Sequence, residues 1–233
     1  MLSKPSPRVA LRTREYLIPA VLLLGACVLV LLFWISLQLT GQGPQHEQFK
    51  RLFHLNGEGN VPAWYNSTLW LIAAQYSFRA HSAEQALGEK LKAGYWLGLS
   101  VGCVLLSLDE VASIHEALGK LLDYRAGDPA GIQPVYRWVW LAVAIVGVVL
   151  TALVSFMLTL PRRVAVGLVA SGAIFLLGAL GMETVGSMVE SGALTRWPLG
   201  LNWNRAFAVE EFLEMAGIVA YLIVVQNYIA KLR

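Results

Sequence analysis

Long stretches without a charged residue constrain this chain more than any other feature of its sequence. No Lys, Arg, Asp or Glu occurs in 16–45, 59–78, 93–108, 138–161, 164–182 or 215–230. Only 14% of the residues are charged, against about 25% in an ordinary soluble domain. Nor do apolar and polar residues alternate, as they would in the strands of an outer-membrane barrel. The pattern excludes a soluble globular domain and a disordered chain, and it predicts an all-α polytopic membrane protein.

The number of membrane helices follows from the length of these stretches. A helix needs about 20 predominantly apolar residues to cross a hydrocarbon core roughly 30 Å thick. Six segments meet or approach this length, so we expect six transmembrane helices in a single domain over 1–233. The predicted spans are 16–40, 62–79, 93–118, 135–160, 164–187 and 206–230. Gly119 is the expected C-terminal stop of the third helix.

The distribution of Lys and Arg predicts that both termini lie on the inner side of the membrane. With Lys4 and the three arginines that follow it inside, the inner segments hold eleven Lys and Arg and the outer segments seven. The apolar run over 16–40 is too long for a cleaved secretory signal, so it is expected to remain as the first helix. No Lys/Arg block of the kind that binds nucleic acid is present, and the expected partner is the lipid bilayer.

Applied to this topology, helical geometry brings acidic residues from three helices into one layer. Asp109 lies about 24 Å, Glu183 about 29 Å and Glu214 about 24 Å from the inner ends of their helices. The third and fifth helices run outward and the sixth runs inward, so the layer lies near the outer face. Asp109, Ser113 and Glu116 have i, i+4, i+7 spacing and are expected on one helical face.

Small residues accompany the acids on the other two helices. Glu210, Glu214 and Gly217 repeat the i, i+4, i+7 spacing on the sixth helix. On the fifth helix the shared face is predicted to hold Gly172, Ala179, Glu183 and Gly186. Small residues let neighbouring helices approach closely, so these faces are expected to pack against other helices.

Crowded carboxylates at low dielectric repel each other unless protons or a cation neutralise them. Oxygen ligands with one imidazole suit hard or borderline divalent metal ions, so iron, manganese, zinc and calcium are candidates. The expected metal ligands are Asp109, His115, Glu116, Glu183, Glu210 and Glu214. Glu110 and Glu211 lie off the main faces, where they would act in acid–base catalysis or support the ligands. An enzyme of this kind would act on a lipid or a small hydrophobic molecule.

Two other interpretations use the same residues. A structural ion-pair network, in which Lys120 pairs with Glu116, would suit a scaffold or accessory subunit of a larger membrane complex. A cation or proton transporter would need a polar path that continues inward, and apart from Arg79 at the end of the second span the inner halves of the predicted spans contain no acid or base.

The first outer loop alternates Gly with Asn and Glu over 56–60, which predicts a compact, turn-rich segment. Glu58 and its neighbours would either cap the acidic layer or form a tight turn into the second helix, with Trp64 as an anchor at the interface. Turn chemistry alone favours the second arrangement. Asn66 begins an Asn-Ser-Thr glycosylation pattern, which is discounted because it lies at the start of a membrane helix.

Three motifs together are those of a known group of proteins. They are Gly-Glu-Gly-Asn-x-Pro-x-Trp over 57–64, Asp-Glu-x4-His-Glu over 109–116, and Glu-Glu-x2-Glu-Met over 210–215. Over most of its membrane part the chain resembles a family of small bacterial polytopic membrane proteins with no established activity. The resemblance implies a helical fold and the bacterial inner membrane, but no reaction. The last motif here departs from the family pattern by an additional Ala before Gly217.

Overall fold

The computed structural model describes residues 7–39, 43–57, 59–125, 137–196 and 198–232, and these are helical without any strand. The predicted features at Lys4 and Glu58 lie outside the described residues. The α-helices are α1 (Pro7–Gln38), α2 (Pro44–Phe53), α3 (Val61–Ala86), α4 (Lys90–Ala112), α5 (Ile114–Arg125), α6 (Arg137–Thr159), α7 (Arg162–Leu176), α8 (Glu183–Glu190) and α9 (Trp203–Leu232). A π-helical turn, Leu177–Met182, joins α7 to α8, and a short 3₁₀ turn, Pro198–Gly200, precedes α9.

Within the described part of the chain, four helical segments are long and apolar enough to cross a membrane. They are Leu17–Gln38 in α1, Lys90–Ala112, Arg137–Thr159, and Arg162–Glu190, which includes α7, the π-helical turn and α8. α3 and α9 have 26 and 30 residues, so their length also suffices, but more of their residues are polar.

α9 lies at the centre of the helical bundle and packs against α1, α3 and α7. The largest cluster of buried apolar side chains includes Leu69 and Trp70 of α3, and Met215 and Leu222 of α9. Gly217 permits this packing, because a Cβ added there would lie only 2.7 Å from the backbone nitrogen of Phe175 in α7. The predicted close packing at Gly217 is therefore confirmed.

α3 and α4 form a tight helical hairpin through the turn 87–89. Serines join the two helices: the hydroxyls of Ser67 and Ser107 are 2.8 Å apart, and Ser100 donates a hydrogen bond to the carbonyl of Ala74. These polar side chains are buried, so they reduce the hydropathy of the helices without facing lipid. Burial of polar side chains between helices thus accounts for part of the low hydropathy of α3.

A buried carboxyl lies near the C-terminal end of α3, beyond the predicted end of that span at residue 79. The side chain of Glu84 is 1% exposed and accepts a hydrogen bond from the hydroxyl of Tyr228 in α9. Because α3 continues to Ala86, the helix has an acid that the predicted span boundary left out.

α2 is a short helix that the sequence analysis did not predict within the first outer loop. Asn60 follows it and caps α3, since its side-chain oxygen accepts a hydrogen bond from the backbone nitrogen of Ala63 at 3.1 Å. Its side-chain nitrogen donates to the carbonyl of His54 at 2.6 Å. The expected tight turn into the helix is confirmed, and Trp64 beside it is exposed.

Candidate functional site

All eight predicted site residues line one cavity of about 720 Å³, which we call the acidic cavity. It lies between α4, α5, α6, α9 and the segment from α7 to α8. The carboxyl-bearing residues on its described wall are Asp109, Glu110, Glu116, Glu183, Glu190, Glu210, Glu211 and Glu214. Among the described lining residues, Lys120 and His115 are the basic ones. Asn56 and Gly57 of the first loop also reach the wall, so that loop covers part of the cavity.

The third predicted helix does not continue to residue 118. It ends at Ala112, because Ser113 adopts a left-handed backbone conformation with φ 49° and ψ 44°, and α5 starts at Ile114. The expectation that Asp109, Ser113 and Glu116 share one helical face is therefore wrong. Gly119 is not a helix stop either, since α5 passes through it to Arg125.

The side chain of Asp109 stabilises this break. One of its oxygens accepts a hydrogen bond from the backbone nitrogen of His115 at 2.9 Å, which satisfies a free donor in the first turn of α5. The other lies 2.8 Å from Nδ1 of His115. No Gly or Pro marks this break, so helical periodicity could not indicate it.

His115 lies in α5, beyond the apolar helix α4. Burial lowers the pKa of His115, but the hydrogen bond and negative charge of Asp109, with other carboxylates nearby, raise it by more, so the pKa lies above its ordinary value. The ring of Trp138 in α6 packs against the imidazole with 4.8 Å between ring centroids. Gly119 makes room for this indole, since a Cβ there would lie 3.1 Å from Cδ1 of Trp138. The sequence analysis did not predict this contact.

Asn66 is a site residue that the sequence analysis dismissed. It is fully buried, and its side-chain nitrogen donates hydrogen bonds to Oε1 of Glu110 at 3.1 Å and Oε2 of Glu214 at 3.3 Å. Its side-chain oxygen is buried and accepts no hydrogen bond from the described residues. The available signal was a polar amide inside a charge-free stretch, on the α3 face that also holds Ser77 and Glu84.

The π-helical turn positions Glu183 against α9. Gly178 in this turn lies so close to α9 that a Cβ would be 2.7 Å from the carbonyl oxygen of Glu210 and 3.0 Å from Cγ of Glu214. The carboxyl groups of Glu183 and Glu210 lie close enough to interact, so their charges would repel each other if both were ionised.

The π-helical turn also corrects the predicted small-residue face of the fifth span. The wider turn shifts the helical register, so Gly172 does not share the face on which Ala179, Glu183 and Gly186 line the acidic cavity. A Cβ at Gly172 would meet nothing within 4 Å, whereas Gly178 makes the close approach. Close packing of this helix was predicted correctly, but Gly178, where α9 approaches so closely, was not on the predicted face.

The carboxylates are arranged in small groups and not in one shell. In the described part of the chain, no three His, Cys, Asp or Glu side chains are placed so that they could hold one metal ion. The groups are Asp109 with His115, Glu183 with Glu210, Glu116 with Lys120 at 3.0 Å, and Glu110 with Asn66 and Glu214. The last group was not predicted as a unit, because its central member is an amide.

Comparison with known proteins assigns the chain to a family. A family model described as "Domain of unknown function (DUF8692)" matches residues 21–227. The chain belongs to this family. The match extends from α1 into α9 and so includes every residue that lines the acidic cavity. No curated protein and no solved structure matches the chain.

Proposed function

We propose that this chain is a multi-pass protein of the bacterial inner membrane whose acidic cavity binds a divalent metal ion near the outer face. In this proposal α3 and α9 also cross the membrane, which gives six spans with both termini inside. Their lengths support this, since 26 and 30 helical residues extend about 39 and 45 Å. Their polar residues are compatible with spanning because the central helices of a bundle face other helices more than lipid.

The side-chain oxygen of Asn66 is the observation on which the metal site depends. A buried amide oxygen without a hydrogen-bond donor is unfavourable, and a cation would satisfy it. The same side chain lies within hydrogen-bond distance of carboxylate oxygens from Glu110 and Glu214. We therefore place the ion at the group formed by these three side chains, after a rotation of the amide that turns its oxygen toward the two carboxylates.

The donor set determines which ions fit. Two carboxylates and one amide oxygen are hard ligands, which favour Ca²⁺ or Mn²⁺ over zinc. The other predicted ligands are Asp109, His115, Glu116, Glu183 and Glu210, and they line the same cavity as Glu110 and Glu214. In this arrangement these residues set the electrostatic potential around the ion. The described wall has more carboxylates than basic residues, and a cation would offset this negative charge.

Elemental analysis of detergent-purified protein tests the proposal. We expect one equivalent of calcium or manganese in the wild type, and at least a tenfold loss in Glu214→Gln and in Asn66→Leu. Glu89→Gln is the matched control, since that carboxylate pairs with Lys92 at the surface and lies outside the acidic cavity. Retention of stoichiometric metal by both cavity variants, with unchanged elution from a sizing column, would contradict the proposed site.

A second function, as a scaffold or accessory subunit, is favoured by the way the acids pair with each other. Hydrogen bonds that connect Asn66 with Glu110 and Glu214 link α3, α4 and α9 and would stabilise the bundle without an ion. This alternative predicts that Glu214→Gln lowers the unfolding temperature to the same extent in EDTA and in excess calcium. A metal-dependent difference between the two conditions would favour the metal site.

A further inference from the structure

The acidic cavity also has an apolar wall. Apolar side chains of α4, α6, α7 and the π-helical turn extend it away from the acids. They include Leu106, Leu141, Ala142, Ile145, Val146 and Leu180. One end of the cavity is therefore strongly acidic and the other is aliphatic. Its volume of about 720 Å³ falls in the range of roughly 300–1,000 Å³ that is usual for small-molecule sites.

α6 packs against the bundle near its two ends and is open in between. Its buried side chains are Val139 near the outer end and Phe156 near the inner end. Phe156 is in ring contact with Trp96 of α4, at 5.2 Å between centroids. Between these two contacts, Leu141 and Ile145 line the cavity although they are 37% and 54% exposed. The cavity is thus open beside the middle of α6.

This opening faces the position of lipid tails. Ile145 lies eight residues after the start of α6, which corresponds to about 12 Å along the helix axis. In a membrane that surrounds α6, this depth lies within the hydrocarbon region, whose total thickness is roughly 30 Å. A ligand that enters here must be a molecule that already resides in the bilayer.

We propose that the acidic cavity binds a long-chain amine from the bilayer, with its tail on the apolar wall and its protonated amine among the carboxylates. The aliphatic wall beside α6 selects a hydrocarbon chain. The eight carboxyl-bearing lining residues, against Lys120 and His115 among the described ones, select a cationic head. The inference depends on the shape and charge of the cavity and not on whether a metal ion binds there.

Two alanines of α6 provide a matched test of the tail site. Ala142 lines the cavity, whereas Ala144 is exposed and does not line it. We expect Ala142→Trp to fill the tail site and Ala144→Trp to leave it open. Ile145→Trp at the exposed rim of the opening is a second blocking variant that should fold even if Ala142→Trp does not.

The probe is a single-chain C16 amine with a nitroxide on its tail, measured by electron paramagnetic resonance in phosphatidylcholine nanodiscs. The matched probe has the same chain and label with a sulfate head. We expect an immobilised component for the amine in the wild type and in Ala144→Trp, reduced at least tenfold in each folded blocking variant and absent for the sulfate. Equal immobilisation of both probes, or an amine component that the blocking variants leave unchanged, would overturn the proposal.

Calcium separates this proposal from the metal site. Because both cations would occupy the same carboxylates, added Ca²⁺ should displace the amine if the metal site exists. A second outcome is that elemental analysis finds no metal and calcium has no effect on amine binding. If the amine is still preferred over the sulfate and the blocking variants still reduce its binding, the metal site fails and the amine site stands. If the protein retains its metal but immobilises the amine and sulfate probes equally, the amine site fails and the metal site stands.

Discussion

Gly178 offers the most direct test of how the acidic cavity is held together. An added Cβ would lie 2.7 Å from the carbonyl oxygen of Glu210 and 3.0 Å from Cγ of Glu214. The first of these atoms is backbone, so the strain cannot be relieved by a side-chain rotation alone, and the π-helical turn must move away from α9. Overpacking of this kind usually costs about 1–3 kcal/mol. We expect Gly178→Ala to lower the free energy of unfolding by that amount and to reduce cation binding.

Gly172→Ala is the matched control on the same membrane segment. A Cβ at Gly172 meets no atom within 4 Å, so the substitution introduces no clash. Replacing a helical Gly by Ala favours the helix by up to about 1 kcal/mol, and the expected effect is neutral or stabilising. The free energies of unfolding of the two variants should therefore change in opposite directions, or differ by at least the cost of the clash.

Unfolding by sodium dodecyl sulfate in mixed micelles, followed by circular dichroism, measures both free energies. Metal content of the folded fractions is determined in the same preparations. If Gly178→Ala and Gly172→Ala have the same midpoint and the same metal content, close approach of the π-helical turn to α9 does not support the site, and the reasoning is refuted.

Two further variants test contacts on either side of the bundle. Tyr228→Phe removes the hydroxyl that donates to the buried carboxyl of Glu84 and should lower the free energy of unfolding by about 1–3 kcal/mol, whereas Tyr124→Phe at an exposed position should not change it. Equal midpoints in detergent unfolding for these two variants would exclude a stabilising role for the hydroxyl. Asn60→Ala removes the cap of α3 at Ala63 and should cost about 0.5–2 kcal/mol, measured by the same unfolding assay. An unchanged midpoint would show that the backbone of the turn holds the helix start by itself.

The long apolar helices could be predicted from the sequence because a stretch without charged residues indicates a helix that is long enough and apolar enough to cross a membrane. All six predicted spans fall largely on described helices, although four of these satisfy the length and composition expected of a span by themselves. α2 was missed because it has only 10 residues and is polar, so it resembles a loop in composition. Glu84 was missed because the predicted span was ended where charged residues resume, while the helix continues.

The sequence predicted which acids lie near each other, but not how they are arranged. Topology was sufficient to bring the acids of three helices to one cavity, because helical rise is regular. The break at Ser113 and the π-helical turn before Glu183 depend on local hydrogen bonds that a periodic pattern does not contain. Asn66 was overlooked because a neutral amide does not stand out by charge, and its importance depends on which carboxylates the fold places beside it.

The central position of α9 has a consequence for how the protein enters the membrane. A charged residue at the middle of a span opposes insertion by about 2.5–3.5 kcal/mol. In the proposed six-span arrangement α9 also crosses the membrane, and it contains Glu210, Glu211 and Glu214. Its packing partners α1, α3 and α7 all precede it in the chain. These three helices can therefore be in the membrane and packed together before α9 is synthesised. The polar residues of α9 can then pass from the translocation machinery to a position between these helices without contact with lipid. In that arrangement α9 is thus a helix whose insertion depends on helices already in place.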